Sequence, residues 1–413
     1  MNGGPGARES RWHGVPGTLL EYRVPASATT VLVALGSIFV LTSQSASSWP
    51  TYMLGAYVLA GAAKWRTLLF DRGFLVVVVL LAYISLSSLW STPWDAREAF
   101  SQVMRALLVF TFVVCIAESV QVDWFLRRLM QVMAVCGTLA AAAAIAVFFI
   151  EPPDDGRLNG LGQLDTHVMA AMVYAIAAVC GLAWLAGNDR PLGRWIAGVC
   201  MAVLVVAVVL AGSRNAMVCM VFALGCLVVA NRIRTARGFV LTAGSLAVGM
   251  LIALLTAYWL VPGAGDVILP RGMSFRPAIW LDYAARIRAD GMWFGLGVST
   301  PDLIQVGGYD VLHPHNLYLA VAHQAGLLGL ALLVTVIAVT ADTLFRNYHE
   351  PEAKLGLAVW AMALPGYLLD GHELVDKVGW TWLLFWLPVG IALGIRARRG
   401  LEDARRFGVR VIS

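Results

Sequence analysis

Apolar residues in this chain come in long runs, with little strand-like alternation. Runs near the ~20 residues needed to cross a bilayer fall at about 26–45, 49–63, 73–91, 101–118, 129–150, 167–186, 195–212, 215–230, 238–262, 316–344, 355–369 and 379–395. Helix-stopping chemistry separates them: an Asp/Arg pair at 71–72, Pro-Pro at 152–153, "GNDRP" at 187–191 and "GSRN" at 212–215. The pattern predicts an all-α polytopic membrane protein of about twelve transmembrane helices, an even number that puts both ends on one side. Its expected segments are an N-terminal tail at 1–25, nine helices within 26–262, one long outer loop at 263–315, three helices within 316–395, and a basic tail at 396–413.

Composition agrees. Of 413 residues, 59% are hydrophobic and 13% charged, against roughly a quarter charged in a soluble domain, so a soluble multi-domain enzyme is excluded. Cys115, Cys136, Cys180, Cys200, Cys219 and Cys226 all lie inside apolar runs, where cysteine acts as a small hydrophobe. Neither a disulfide framework nor a zinc site is expected from them. The first 25 residues carry Arg8, Arg11 and Arg23 without an apolar core and cleavage site, so the first span is expected to serve as its own insertion signal.

The basic residues orient the chain. With a cytoplasmic N-terminus, 21 of the 30 lysines and arginines fall on the inner side, as the positive-inside rule demands. Topology and anionic lipid headgroups then explain the net charge of +5 and the tail "RARRGLEDARR", and no nucleic-acid partner is needed. The exceptions carry the information: Arg97, Arg105, Arg157, Arg214, Arg271, Arg276, Arg286, Arg288 and Lys377 lie on or near the outer face. Arg97 and Arg105, beside Asp95 and Glu98, read as solvated ion pairs. Arg157 has Asp154 and Asp155 as local partners.

Three stretches stand out on that face. "LAGSRNAM" joins two spans almost without a loop, so Arg214 sits at a helix start at membrane depth with Ser213 and Asn215 as capping groups. A guanidinium there needs a partner or a wet cavity. A planar five-donor fork at a helix N-terminus suits phosphate oxygens, although snorkelling to headgroups is the plain alternative. In the long loop, Ile279, Tyr283 and Ile287 recur at helical spacing and predict a helix along the membrane surface, followed by a Gly295/Gly297 turn. Finally, "VLHPHNLYL" places His313, His315 and Asn316 where the loop meets the tenth span. Histidine can take and return a proton near neutral pH, Pro314 suits a helix start, and Asn316 can hold an imidazole or a ligand hydroxyl. Asp370, His372, Glu373, Asp376 and Lys377 in "DGHELVDK" either orient a substrate or make a solvated turn, with the turn favoured. The sequence shows no metal-binding array, lipase elbow or nucleotide-phosphate loop.

Outward arginines with one imidazole suit transfer from a lipid-linked diphosphate: guanidinium groups stabilise the leaving charge and the imidazole takes a proton from the incoming hydroxyl. "GSRNA", "RGMSFRPAIW", "FGLGVS" and "HPHNLYL" followed by "AGLLGL", in that order over roughly residues 155–345, resemble the O-antigen ligase and polymerase superfamily of bacterial membrane glycosyltransferases. The resemblance implies metal-independent, inverting transfer of a glycan from undecaprenyl diphosphate on the periplasmic side, without a cofactor. By carry-over, His315 is the catalytic base with His313 as its neighbour, Arg214 and Arg276 hold the diphosphate, and Arg157, Arg271, Arg288 and Asn316 assist in binding. It leaves open whether Arg286 or Arg288 faces the site; two apart on a helix, only one is expected to. One long loop and a short C-terminal region favour a ligase that moves finished O-antigen onto lipid A–core oligosaccharide; a chain-elongating polymerase is the second reading. A transporter of polyprenyl-linked glycans is a third, disfavoured because the polar groups gather on one side with no matching half-repeat.

Overall fold

The computed structural model describes residues 26–40, 44–59, 68, 71–260, 275–301, 303–306 and 309–406. Arg271 therefore lies outside the described residues, as do much of the first half of the long loop, the N-terminal tail and the end of the basic tail. The helices are α1 (Ala26–Val40), α2 (Gln44–Leu59), α3 (Arg72–Ser87), α4 (Ala96–Ser119), α5 (Phe125–Ile150), α6 (His167–Ala186), α7 (Pro191–Leu210), α8 (Arg214–Arg232), α9 (Ala236–Leu260), α10 (Arg276–Asp290), α11 (Leu317–Arg346), α12 (Pro351–Leu369) and α13 (Leu387–Arg406). A two-stranded antiparallel ribbon, β1 (Ile304–Val306) and β2 (Tyr309–Val311), precedes α11.

A helix falls on every run that the hydropathy marks. Eight stretches among the described residues are long and apolar enough to cross a membrane: Arg72–Trp90, Ala96–Ser119, Phe125–Ile150, His167–Ala186, Pro191–Leu210, Arg214–Arg232, Ala236–Ala253 and Leu317–Arg346. The protein is thus a polytopic helical membrane protein. α6 is its central element, with buried residues on every side from Ala170 to Gly181, because alanine and glycine let neighbouring helices approach closely. At Gly137 in α5, an added β-carbon would lie 2.6 Å from that of Ala177.

The connections alternate between two ends of the bundle. At one end Arg396 Nε donates to Asp71 Oδ2 at 2.8 Å, Arg398 pairs with Glu350 and Glu352, and the Tyr348 hydroxyl donates to the carbonyls of Ala230 and Ile233. The other end gathers the α3–α4 connection, the segment after α10, the start of α11 and the residues following α12.

There α11 is broken. Gly326 has φ 66°, and the chain after α10 fills the gap: Leu296 N–H donates to His323 O at 2.8 Å, Gly297 N–H to Gln324 O at 3.0 Å, and Leu327 N–H to Met292 O at 2.9 Å. Carbonyls and amides freed by the break are thereby satisfied, as membrane depth requires. A β-carbon on Gly326 would collide with Trp293 O, and one on Gly295 with the backbone of Gln324 and Ala325. The expected Gly295/Gly297 turn is present, with φ of 78° and 95°. The same segment is tied to the α3–α4 connection, where Ser87 and Ser91 hydroxyls accept from the N–H groups of Val298 and Ser299.

Candidate functional site

The histidine pair is positioned by a local turn. His315 takes φ 49°, a left-handed value that a non-glycine residue adopts at a cost and usually at a site held by its surroundings. Such a residue cannot continue a helix, so α11 begins at Leu317, beside the expected start at 316 and three residues beyond Pro314. Asn316 is its N-cap: Oδ1 accepts from Leu319 N–H at 3.0 Å, and the side chain is buried. The sequence offers Asn316 to an imidazole or a ligand hydroxyl; in the fold its oxygen also caps a helix. Trp280 of α10 donates its indole N–H to Pro314 O at 3.0 Å, fixing the turn from the other side.

Residues after α12 complete the group. Asp370 Oδ1 lies 3.3 Å from His315 Nδ1 and also accepts from Gly371 N–H at 2.8 Å. Burial works against ionisation of this carboxyl, but its contacts with His315 and the Gly371 amide hold it below the usual carboxylate range. The His313 ring lies 4.0 Å from that of His315 and stacks on His372 at 4.4 Å, with planes 14° apart. Burial, then the neighbouring imidazoles of His315 and His372, push His313 down to about 4, so it is uncharged at neutral pH.

The 370–378 segment is therefore a wall of the site, where the sequence favours a solvated turn. Trp382 and Trp386, in a short π-helical turn at Trp382–Trp386, donate their indole N–H groups to the carbonyls of Asp376 and Leu374 at 3.1 and 2.9 Å. The widened turn brings two indoles four residues apart onto one strip of backbone, which local polarity in "DGHELVDK" does not reveal.

The arginines approach from the α6, α8 and α10 side. Arg214 opens α8 with Ser213 as N-cap, as expected. Asn215, expected to cap, instead donates Nδ2–H to Gly366 O of α12 at 3.1 Å, four residues before Asp370, which ties the α8 start to the histidine group. Arg157 lies over the same turn: a β-carbon on Gly212 would sit 3.6 Å from its Cγ. Its guanidinium is 3.2 Å from His167 Nε2, while Asp155 accepts from the Arg157 backbone N–H, so the local pairing that the sequence suggests is made by backbone. Arg276 opens α10 one turn before Trp280, and its Nε is buried with no hydrogen-bond partner among the described residues. Arg286 pairs with Asp282 at 2.9 Å, and Arg288 is exposed. The apolar stripe of α10 does form, but Ile279 and Tyr283 pack on Ile304, and Tyr283 meets the His323 ring of α11 at 5.0 Å, so the stripe is covered by protein.

Beside the histidines is a cavity of about 370 Å³ lined by Glu98, Gln102, Arg105, Ser299, Thr300, His313, Gln324, His372 and Glu373, among others. Arg105 pairs with Glu98 at 3.2 Å, as the sequence suggests, yet in a cavity wall with the arginine side chain 17% exposed. Burial, and then Asp376, push Glu373 up to about 8 against the pull of Arg105. One ligand atom each from His313, His315 and Asp370 lies within 4.8 Å of the others, a set that could hold a cation. The sequence gives no sign of it because Asp370 is 55 residues from His315.

Fold and site together define a membrane protein that collects imidazole, carboxylate and guanidinium groups at one end of a helix bundle, the equipment for acid–base chemistry on an anionic substrate. Residues 199–334 match the family model described as O-antigen ligase. Over 352 residues, 85% of this chain and 84% of the relative, the sequence is 28% identical to an O-antigen ligase of Pseudomonas aeruginosa. These two similarities support a glycosyltransferase-type enzyme of the ligase or polymerase kind.

Proposed function

We propose that the chain is an O-antigen ligase of the bacterial inner membrane, transferring polysaccharide from undecaprenyl diphosphate to lipid A–core oligosaccharide on the periplasmic side, with both termini cytoplasmic. The observation that carries the reading is the contact between Asp370 and His315 Nδ1. A carboxylate on Nδ1 holds the proton there and leaves Nε2 with the lone pair, the form a general base needs. In this reading His315 takes the proton from the acceptor hydroxyl as that oxygen attacks the anomeric carbon. The bond to the diphosphate breaks on the opposite face, which inverts the configuration. Arg214 and Arg276 bind the diphosphate and stabilise the charge it gains, with Arg157, Arg271 and Arg288 as further phosphate contacts. The lipid carrier lies in the bilayer against the helices. The step needs no metal, since the guanidinium groups supply the positive charge.

The test is complementation of a bacterial strain deleted for this gene. Wild-type chain should restore the polymer ladder on lipopolysaccharide, whereas His315→Ala should leave bare core and accumulated lipid-linked polymer. Polymer that lengthens on its carrier only when the chain is present would replace the ligase by a polymerase. A restored ladder with His315→Ala would remove the base assignment.

A further inference from the structure

We infer that the cavity between α4 and the segment after α12, beside His313 and without Arg157, Arg214 or Arg276 in its wall, is the subsite for the acceptor's terminal sugar, a neutral saccharide unit. The inference rests on the transfer reading for the word acceptor; the saccharide chemistry rests on the walls. About 370 Å³ lies at the small end of ligand pockets, which run roughly 300–1,000 Å³, and suits one or two sugar rings rather than a polymer.

Sugar hydroxyls both donate and accept, and the walls offer both. Gln102 and Gln324 are buried, and each spends an amide N–H on a backbone carbonyl, of Val375 and His372 at 3.4 and 3.3 Å, which leaves its Oε1 as an acceptor. Glu373 keeps its proton near neutral pH and can donate as well as accept. A phosphorylated group is disfavoured, because Arg105, the one guanidinium in the wall among the described residues, is already paired with Glu98. The diphosphate therefore belongs on the arginine side and the uncharged partner here. His313 is the shared wall: it lines the cavity, and its ring lies 4.0 Å from that of His315, so a hydroxyl at the cavity rim comes within reach of the base.

The walls are built before any ligand arrives. The Trp382 and Trp386 indoles, the two glutamine amides and the Ser87 and Ser91 hydroxyls each hold a lining backbone segment. Such preorganisation lowers the entropy cost of binding.

The experiment uses the full chain purified in detergent and, as probe, the oligosaccharide released by mild acid from lipopolysaccharide of a strain lacking this gene. Binding is followed by saturation-transfer NMR with Glu373→Ala, Ser299→Phe, which fills the cavity, and Arg214→Ala, each checked for unchanged elution and melting. Wild type should bind saturably, both cavity variants should raise Kd at least tenfold, and Arg214→Ala should match wild type. Absence of saturable binding to wild type, cavity variants that bind as tightly, or an equal loss in Arg214→Ala would each overturn the subsite. The transferase reading is scored separately by glycan transfer to intact lipopolysaccharide: probe binding that behaves as expected with no transfer by wild type sinks that reading and leaves a saccharide site.

Discussion

Asp370→Asn isolates the contact on which the chemistry rests. The amide keeps the shape of the side chain and its place beside Gly371, but removes the charge facing His315 Nδ1 at 3.3 Å. A hydrogen bond to a charged group contributes about 1.5–3 kcal/mol, and each ~1.4 kcal/mol of barrier is a decade in rate, so the full range spans roughly 10- to 150-fold. The His315 side chain is 37% exposed, and solvent screens a contact so placed. We therefore expect kcat to fall about 10- to 30-fold with the KM for either substrate little changed, since Asp370 touches the base and neither substrate. The assay is steady-state transfer from lipid-linked glycan to rough lipopolysaccharide in detergent, with melting temperature as a fold control. The decisive comparison is a double-mutant cycle: in a His315→Ala background the same change should cost almost nothing, because coupled residues are non-additive. A kcat within twofold of wild type in a folded protein, or a loss that simply adds to that of His315→Ala, would refute a positioning role for Asp370.

Other expectations follow from the same geometry. Arg214→Lys should lose about 10- to 100-fold in kcat/KM for the lipid-linked donor despite its retained charge, because an ammonium cannot reproduce a bidentate fork; donor titration checks this. Gly326→Ala should yield little folded protein, since the Gly326 backbone, with φ 66° and ψ −169°, lies in a region essentially confined to glycine that costs other residues roughly 1–3 kcal/mol, and the β-carbon also meets Trp293 O; detergent-extracted yield and melting temperature report it. Glu373 binds its proton more tightly folded than unfolded, so its contribution to stability is full below about pH 4.5 and is lost as pH rises toward about 8. Glu373→Gln should flatten the decline in melting temperature over that window.

Local signals were legible and distant pairings were not. The turn before α11 is written in adjacent residues, and the α8 start in "GSRN", so His313, His315 and Arg214 could be singled out without a structure. Asp370 and His372 sit in a polar stretch whose composition is that of an ordinary turn; only the approach of α12 to the start of α11 makes one a hydrogen-bond partner and the other a stacking partner. Glu98 and Arg105 misled for the same reason, because an i,i+7 pair reads the same whether it faces water or a cavity. The break in α11 was hidden by its apolar sequence: "AGLLGL" has the hydropathy of a continuous span, and the insertion of "GLG" against it is a tertiary event. The capping role of Asn316 is not distinguished in the sequence from a ligand contact, since both draw on the same short polar side chain.

The most direct test of the account is glycan transfer by the purified chain in EDTA, using undecaprenyl-diphosphate-linked polymer and rough lipopolysaccharide, with His315→Ala alongside. The account predicts polymer on the lipopolysaccharide at an undiminished rate in EDTA, and a loss of roughly 100- to 10,000-fold for the variant, the span of general-base catalysis. Transfer that stops in EDTA and returns with a divalent ion would contradict the metal-free mechanism and point instead to the His313, His315 and Asp370 set as a metal centre.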